Sequence, residues 1–333
     1  MSTRAKKLPL LTGTLLSVGA LGAQAACPVA ETIQIADMSW ASASAIAQIE
    51  SKILELGYDC RTELIPGETV TTATTMVKKG RPHIAPEVWS SNIASLLDEG
   101  LQKGTVSIAG QVFASGGMDA WWVPRYVVEQ YPDIKSVQDM ARYSHLFKST
   151  GSDKGRFYNS LPGWSNEIRS TNLFRGYGLD QHYEIYSAGS GAALDSAIAS
   201  NYKRKKPVFF YYWAPSAILG KYDMVRLQMN DYDPANDACN AEANCKTPSA
   251  GGYPVVQVNT LVASKLKDGA PELYQFLGKV SFENDTVNKL LAWGEDNKAD
   301  PKEVAEYFLK NHQAIWTTWV PQEVAAKVIA RLD

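Results

Sequence analysis

The stretch Thr32-Ile33-Gln34-Ile35-Ala36-Asp37-Met38-Ser39-Trp40, with the run from Ala41 to Gly57 behind it, contains one change of period. Residues 32–36 alternate apolar and polar side chains, as a half-buried strand does. Ile46, Ile49, Ile53 and Leu56 then recur at the spacing of one helix face. Gly57 stands where a helix C-terminal cap belongs. The alternation continues with a short strand from Arg61 to Ile65 that ends at Pro66, and a helix from Val70 to Lys79. A strand from His83 to Trp89 and a helix from Ile93 to Leu101 complete it. Such a βαβα series predicts a parallel sheet covered by helices.

A second block opens at Gly116-Gly117. Its expected elements are a strand at Asp119–Val123, helices near Ser136–Arg142 and over Ser165–Arg175, and a strand at Tyr183–Tyr186. A helix at Ala192–Tyr202 and a strand at Val208–Trp213 follow. After a loop rich in Asn, Asp and Gly, the strand Pro254–Val262 and the helices beyond Glu272 read as a return to the first block. The expected organisation is one lobe of residues 26–115 and 257–333 and another of residues 116–256. A ligand cleft is expected where the chain crosses between them.

With 333 residues, 45% of them hydrophobic, the chain is long enough for about two domains with real cores. Its 33 basic and 35 acidic residues argue against a nucleic-acid surface, which shows as a clustered basic excess. Arg4, Lys6 and Lys7, the apolar run Leu8 to Leu21 and the triplet Ala23-Gln24-Ala25 give residues 1–25 the form of a cleaved signal peptide. The apolar run, about 14 residues, is shorter than the roughly 20 of a membrane-spanning helix. The expectation is therefore a periplasmic protein whose mature chain does not insert in a membrane. Removing the leader takes three positive charges and no negative ones, moving the net charge from −2 to −5.

Four cysteines allow three pairings. Cys27 and Cys60 lie near the starts of the first two predicted strands, and Cys239 and Cys245 enclose a polar loop. The favoured pairing is Cys27–Cys60 with Cys239–Cys245, in keeping with an oxidising compartment. A zinc site lacks any C-x-x-C or H-x-x-x-H partner motif. Lipidation of Cys27 lacks the usual aliphatic residue upstream, where Gln24-Ala25-Ala26 stands.

Catalytic signatures are missing: there is no phosphate-binding G-x-x-x-x-G-K-[ST] loop, no G-x-S-x-G elbow and no H-E-x-x-H. The four histidines are scattered, and Ser187-Ala188-Gly189-Ser190-Gly191 lacks the spacing of a dinucleotide fingerprint. No enzyme activity, cofactor or metal is expected. The nine tryptophans carry more information through their placement. Trp40 follows the first strand, Trp89 ends another, and Trp121 and Trp122 lie in the strand opening the second block. Trp164 precedes a helix, and Trp213 ends the aromatic strand ahead of Ala214-Pro215. Ligands of parallel α/β sheets bind beyond the strands' carboxyl ends, where several of these rings fall. A quaternary ammonium group has no N–H to donate, so ring faces read it, at about 0.5–2 kcal/mol each. Trp293, Trp316 and Trp319 have no comparable placement and are read as packing.

The segments around Trp89, Trp164 and Trp213 resemble the stretches that build the aromatic cage in glycine betaine-binding proteins of ABC importers. Pro162-Gly163-Trp164 resembles the family's Pro-Gly-Trp turn, Val208 to Pro215 its aromatic strand ending in Trp-x-Pro, and Val88-Trp89-Ser90 its first Trp-containing strand end. Trp40 and Trp121 resemble further rings of the choline-binding branch. The resemblance runs through residues 30 to 325. It implies a two-lobed periplasmic binding protein (type II-like), each lobe a mixed, mostly parallel sheet flanked by helices. Such a protein closes on its ligand and delivers it to a membrane permease, and is expected to act as a monomer. The implied ligand-binding residues are Trp40, Trp89, Trp121, Trp164 and Trp213, with the N–H groups at Ser165 and Asn166 meeting a betaine carboxylate at a helix N-terminus.

The chain departs from the family where Trp89 is followed by Ser90-Ser91-Asn92-Ile93, without the usual x-Pro or carboxylate-holding histidine. Glu87 shares the strand face of Trp89, and with Asp37 it offers acidic groups to the pocket, favouring choline over glycine betaine. Taken alone, each reads first as an exposed or salt-bridged carboxylate, and Arg169 as a solvated surface residue that could instead add positive charge. The alternative functions are an exported lectin-like or sensory module stacking sugars on tryptophan faces, and a hydrolase with a triad invisible in sequence.

Overall fold

A computed structural model of the chain describes residues 1–2, 27–149, 151–161 and 166–332. Nearly all of the expected signal peptide, and the expected site residues Trp164 and Ser165, lie outside the described residues.

The strands form two five-stranded sheets. The first contains β1 (Ile33–Met38), β2 (Thr62–Gly67), β3 (Ile84–Trp89), β4 (Val106–Gln111) and, arriving late in the chain, β10 (Val258–Ala263). Their order is β2-β1-β3-β10-β4. The second contains β5 (Met118–Pro124), β6 (Gly155–Asn159), β7 (Tyr183–Ser187), β8 (Phe209–Ala214) and β9 (Met224–Arg226), in the order β7-β6-β8-β5-β9. In each sheet one strand runs against the other four: β10 is antiparallel to β3 and β4, and β5 to β8 and β9. Each sheet is therefore mixed and mostly parallel, as the resemblance implies; the βαβα series alone does not reveal the reversed strand. Each reversed strand is the first to enter its sheet after the chain crosses. It arrives at the edge where the parallel strands end and must run back from it. The crossings pair with each other, Gly117 N–H donating to the Val256 carbonyl at 2.7 Å and Val256 N–H returning at 3.1 Å.

The first helix, Ala41–Tyr58, buries Ile46, Ile49 and Ile53 completely, as the spacing predicts. Its left-handed cap falls on Asp59, not on Gly57 as expected. Gly57 is needed for packing: a Cβ there would lie 2.6 Å from Val324 Cγ1 of the helix Gln322–Ala330. Pro66 does not end β2, because β2 is an edge strand and a missing N–H costs nothing on its open side. Trp316 and Trp319 are buried in the core of the first lobe, and Trp293 stacks on Tyr307 at 3.7 Å between ring centroids.

Both favoured disulfides are present, Cys27–Cys60 and Cys239–Cys245. The lobes also meet beside the crossings. The short helix Ala217–Lys221 of the second lobe packs on Asn284–Asn297 of the first. There Asn288 Oδ1 accepts from Ser216 N–H at 2.6 Å, and Lys221 pairs with Glu295 and Asp296 at 2.9 and 2.8 Å. Among the described residues no helix is long and apolar enough to cross a membrane.

Glu50 lies on the buried stripe of the first helix, and neither carboxyl oxygen has a hydrogen-bond partner. Burial pushes its carboxyl well above the ordinary 4.5. Above pH 4.5 the unfolded chain ionises this group and the folded chain does not, so its destabilising effect grows as pH rises. Glu50→Met should stabilise the protein at pH 7–8 by about 1–3 kcal/mol, the scale of a buried unsatisfied polar group. The gain should shrink toward pH 4, as measured by urea unfolding midpoints.

Candidate functional site

Strands β1 and β3 are parallel neighbours, so the turns after their ends lie side by side. The turn after β1 carries Trp40, the N-cap residue of the first helix, with extended backbone (φ −103°, ψ 151°). Trp89 is the last residue of β3, ahead of the 3-10 turn Ser90–Ile93. Glu87, two residues earlier on β3, is completely buried between them. Its Oε1 accepts from Trp40 Nε1 at 2.6 Å, from Trp89 Nε1 at 3.0 Å and from Ser42 Oγ at 3.1 Å. Its Oε2 is buried with no hydrogen-bond partner. Burial pushes the Glu87 carboxyl up to about 7, although the three donors pull it down. Both indoles remain partly exposed. The indole N–H donates in the ring plane, so this anchorage leaves the ring faces for other contacts.

The Trp89 ring rests on the crossing segment. A Cβ at Gly117 would lie 2.1 Å from Trp89 Cζ3, so only glycine lets the ring sit there. Two residues on, Asp119 pairs directly with Trp213 across β5 and β8. An extended chain covers about 7 Å in that interval, so the corner of the first lobe and the Trp213 end of the second are close neighbours. Trp213 stacks on Tyr212, with centroids 4.3 Å apart and planes within 8°. The Tyr212 hydroxyl in turn donates to Asp195.

Behind Trp213 a buried polar chain runs through the second lobe. Asp119 Oδ1 accepts from the Tyr211 hydroxyl at 2.5 Å, and Oδ2 from Asn166 Nδ2 at 2.6 Å. Arg169 donates to Asn166 Oδ1 at 2.8 Å and pairs with Asp237 at 2.8 Å. Burial raises the Asp119 carboxyl, against the pull of Tyr211, Arg169 and Asn166. Arg169 is therefore neither a solvated surface residue nor a free cation: its guanidinium is committed to Asp237 and to orienting Asn166. The helix begins at Glu167, with Asn166 as its N-cap residue and not inside the helix as expected.

The structure brings Trp40, Trp89 and Glu87 together and sets Trp213 across the crossing from them. It does not place Trp121 with them. Trp121 is fully buried against Phe157, Phe174, Phe209 and Tyr177, and its Nε1 donates to Ser170 Oγ and Tyr253 Oη at 3.2 and 3.0 Å. The expectation that this ring lines the cleft is corrected. Because β5 runs antiparallel, its first residues lie beside the crossing and Trp121, opposite Tyr211, lies deeper in the sheet. Trp122 takes the other sheet face, where its Nε1 donates to the Tyr212 carbonyl. Asp37, half-buried near the end of β1 opposite Pro66, has one buried oxygen, Oδ1, without a partner. Two contributors escaped the sequence reading. Gly117 registers there only as half of a Gly-Gly boundary, and Asp119 only as the start of a strand.

A model of the family described as the substrate binding domain of ABC-type glycine betaine transport system matches residues 31–311. The glycine betaine/proline betaine-binding periplasmic protein of Salmonella typhimurium (strain LT2) is 24% identical over 227 residues, covering 65% of this chain and 67% of that protein. An ABC-transporter choline binding protein in complex with choline superposes with a TM-score of 0.58 at 19% identity, over 91% of this chain and 98% of that one. Lactococcal OpuAC, in its closed-liganded conformation complexed with glycine betaine, does so with a TM-score of 0.58 at 17% identity, over 87% of this chain and 100% of that one. The two structural likenesses show a shared two-lobed periplasmic binding protein fold, with two mixed sheets flanked by helices. Since the family's model spans both sheets, from Glu31 to Asn311, the chain belongs to the substrate-binding proteins of ABC-type glycine betaine transport systems, a family of transport proteins and not of enzymes.

Proposed function

We propose that this protein is exported to the periplasm, binds a quaternary ammonium cation of the choline type between its lobes and delivers it to a membrane permease. The observation that carries this reading is the pair of indoles anchored by their N–H edges to one buried carboxylate at the end of β3. Trp213 supplies a ring from the other lobe, and Trp164 a further one by the resemblance of Pro162-Gly163-Trp164 to the family's motif. Ring faces attract a cation that has no N–H to donate, more strongly where water is excluded. On this reading the ligand lies near two buried carboxylates, Glu87 on β3 and Asp119 on β5. That arrangement suits a cation carrying a hydroxyl better than a zwitterion carrying a carboxylate. Asn166 faces Asp119 and precedes Glu167 in the first turn of its helix, which disfavours an anion at Ser165 and Asn166. The two disulfides support an oxidising compartment.

Tryptophan fluorescence titration tests the reading with choline chloride, glycine betaine and glucose. Choline should bind, and more tightly than glycine betaine by about tenfold, or roughly 1.4 kcal/mol. A response to glucose alone, or to none of the three at millimolar concentration, would refute it. Trp213→Ala should weaken choline binding by about tenfold to thirtyfold, the loss of one desolvated ring face. Gly117→Ala should weaken it comparably by displacing the Trp89 ring. For both variants the thermal unfolding transition reports whether the fold survives.

A further inference from the structure

Glu87 is built into the first lobe in a way that packing alone does not explain. A buried carboxylate normally faces a cation or a full set of donors. This one faces neither. The segments around it contribute two indoles and a hydroxyl, all converging on Oε1: Trp40 and Ser42 from the start of the first helix, and Trp89 from its own strand. Oε2 is sealed from solvent without a partner. Among the described residues no charged side chain adds to its protonation balance, which burial and those three donors set. The group therefore holds two rings in place while its own charge goes unanswered inside the protein.

Resting on the quaternary ammonium reading of this cleft, we propose that Glu87 positions the Trp40 and Trp89 rings and that its carboxylate is the buried counter-charge of the bound cation, so that ligand binding expels the proton from Glu87. The neutral carboxylic acid still accepts the indole N–H groups but offers no charge, and the carboxylate offers both. A cation arriving against the ring faces supplies the missing opposite charge and favours the ionised form. By linkage, whatever favours ionisation of Glu87 also favours the ligand. The sign follows from the raised carboxyl: without ligand, burial holds the proton on Glu87 up to about pH 7. Below that pH binding must displace a proton and affinity falls; above it affinity is level. At pH 6 about a tenth of the molecules carry the carboxylate, and at pH 8 about nine tenths. Choline affinity should therefore rise about tenfold between the two.

Isothermal titration of the purified protein with choline chloride at pH 6, 7 and 8 tests this, with each pH run in two buffers of different ionisation enthalpy. The expected result is a Kd that falls about tenfold from pH 6 to pH 8, with most of one proton released per choline at pH 6 and almost none at pH 8. Glu87→Gln keeps an oxygen for the indoles and removes the charge. It should bind choline about tenfold or more weakly than wild type at pH 8, with a flat pH profile and no proton release. Glu87→Leu also removes the acceptor and should bind more weakly still, with a shifted tryptophan emission spectrum. If wild type binds choline with a flat profile and no buffer dependence, the role given to Glu87 is overturned and the ring cage stands. A Glu87→Gln variant that keeps the wild-type pH slope overturns it equally. Failure to bind choline or glycine betaine at any pH removes the cage itself, and the Glu87 role with it. Should Glu87→Gln fail to fold in a thermal melt, the wild-type proton count decides alone.

Discussion

The indole N–H groups of Trp40 and Trp89 end on the same oxygen of Glu87, and the arrangement of the two strand ends follows from that shared acceptor. The two rings come from different strand ends, and nothing in the local backbone of either dictates a common orientation. A buried carboxylate oxygen has capacity for several donors and loses stability for each one it lacks. Satisfying it turns both ring edges inward. The cost of burying the carboxylate remains, since Oε2 has no partner. A natural protein tolerates such a local penalty where function requires it.

The second constraint is the double crossing of the chain. Each crossing delivers its strand to the edge of a sheet where the parallel strands end, so β5 and β10 must run against their neighbours. This reversal decides which residues lie at the sheet end beside the crossings. Asp119 comes to the edge beside Trp213, while Trp121 is carried into the core among Phe157, Phe174 and Phe209. It also brings Gly117 under the Trp89 ring, where no larger residue fits. The crossings thus hold the Trp89 ring as well as linking the lobes.

Much of the fold was legible in the sequence because period and burial agree. The stripe Ile46, Ile49, Ile53 faces a core, and β1, β3, β7 and β8 appear close to where alternation or aromatic runs place them. β4 and β6 were not legible. Val106-Ser107-Ile108-Ala109-Gly110-Gln111 is short, small and mostly half-buried, and Gly155-Arg156-Phe157-Tyr158-Asn159 opens on a glycine, so neither shows a strong strand signal. Gly57 and Pro66 were misread as punctuation. One is a contact point for a helix more than 260 residues later in the chain, and the other lies harmlessly on a sheet edge. Propensity describes what a residue does in its own segment, and these two answer to neighbours far away in sequence.

By itself the sequence determined the alternation of strands and helices and the presence of ring-bearing strand ends. Both are written in local period, spacing and residue type. Only the tertiary structure decided which rings belong together. That choice depends on strand direction and on a carboxylate, Glu87, whose role is defined by groups 47 residues upstream and two residues downstream. Trp40, just after a strand, and Trp121, within one, both read in the sequence as rings for the cleft. One becomes a partly exposed ring on a shared acceptor and the other a core residue, because hydrogen bonding and sheet direction are properties of the assembled fold.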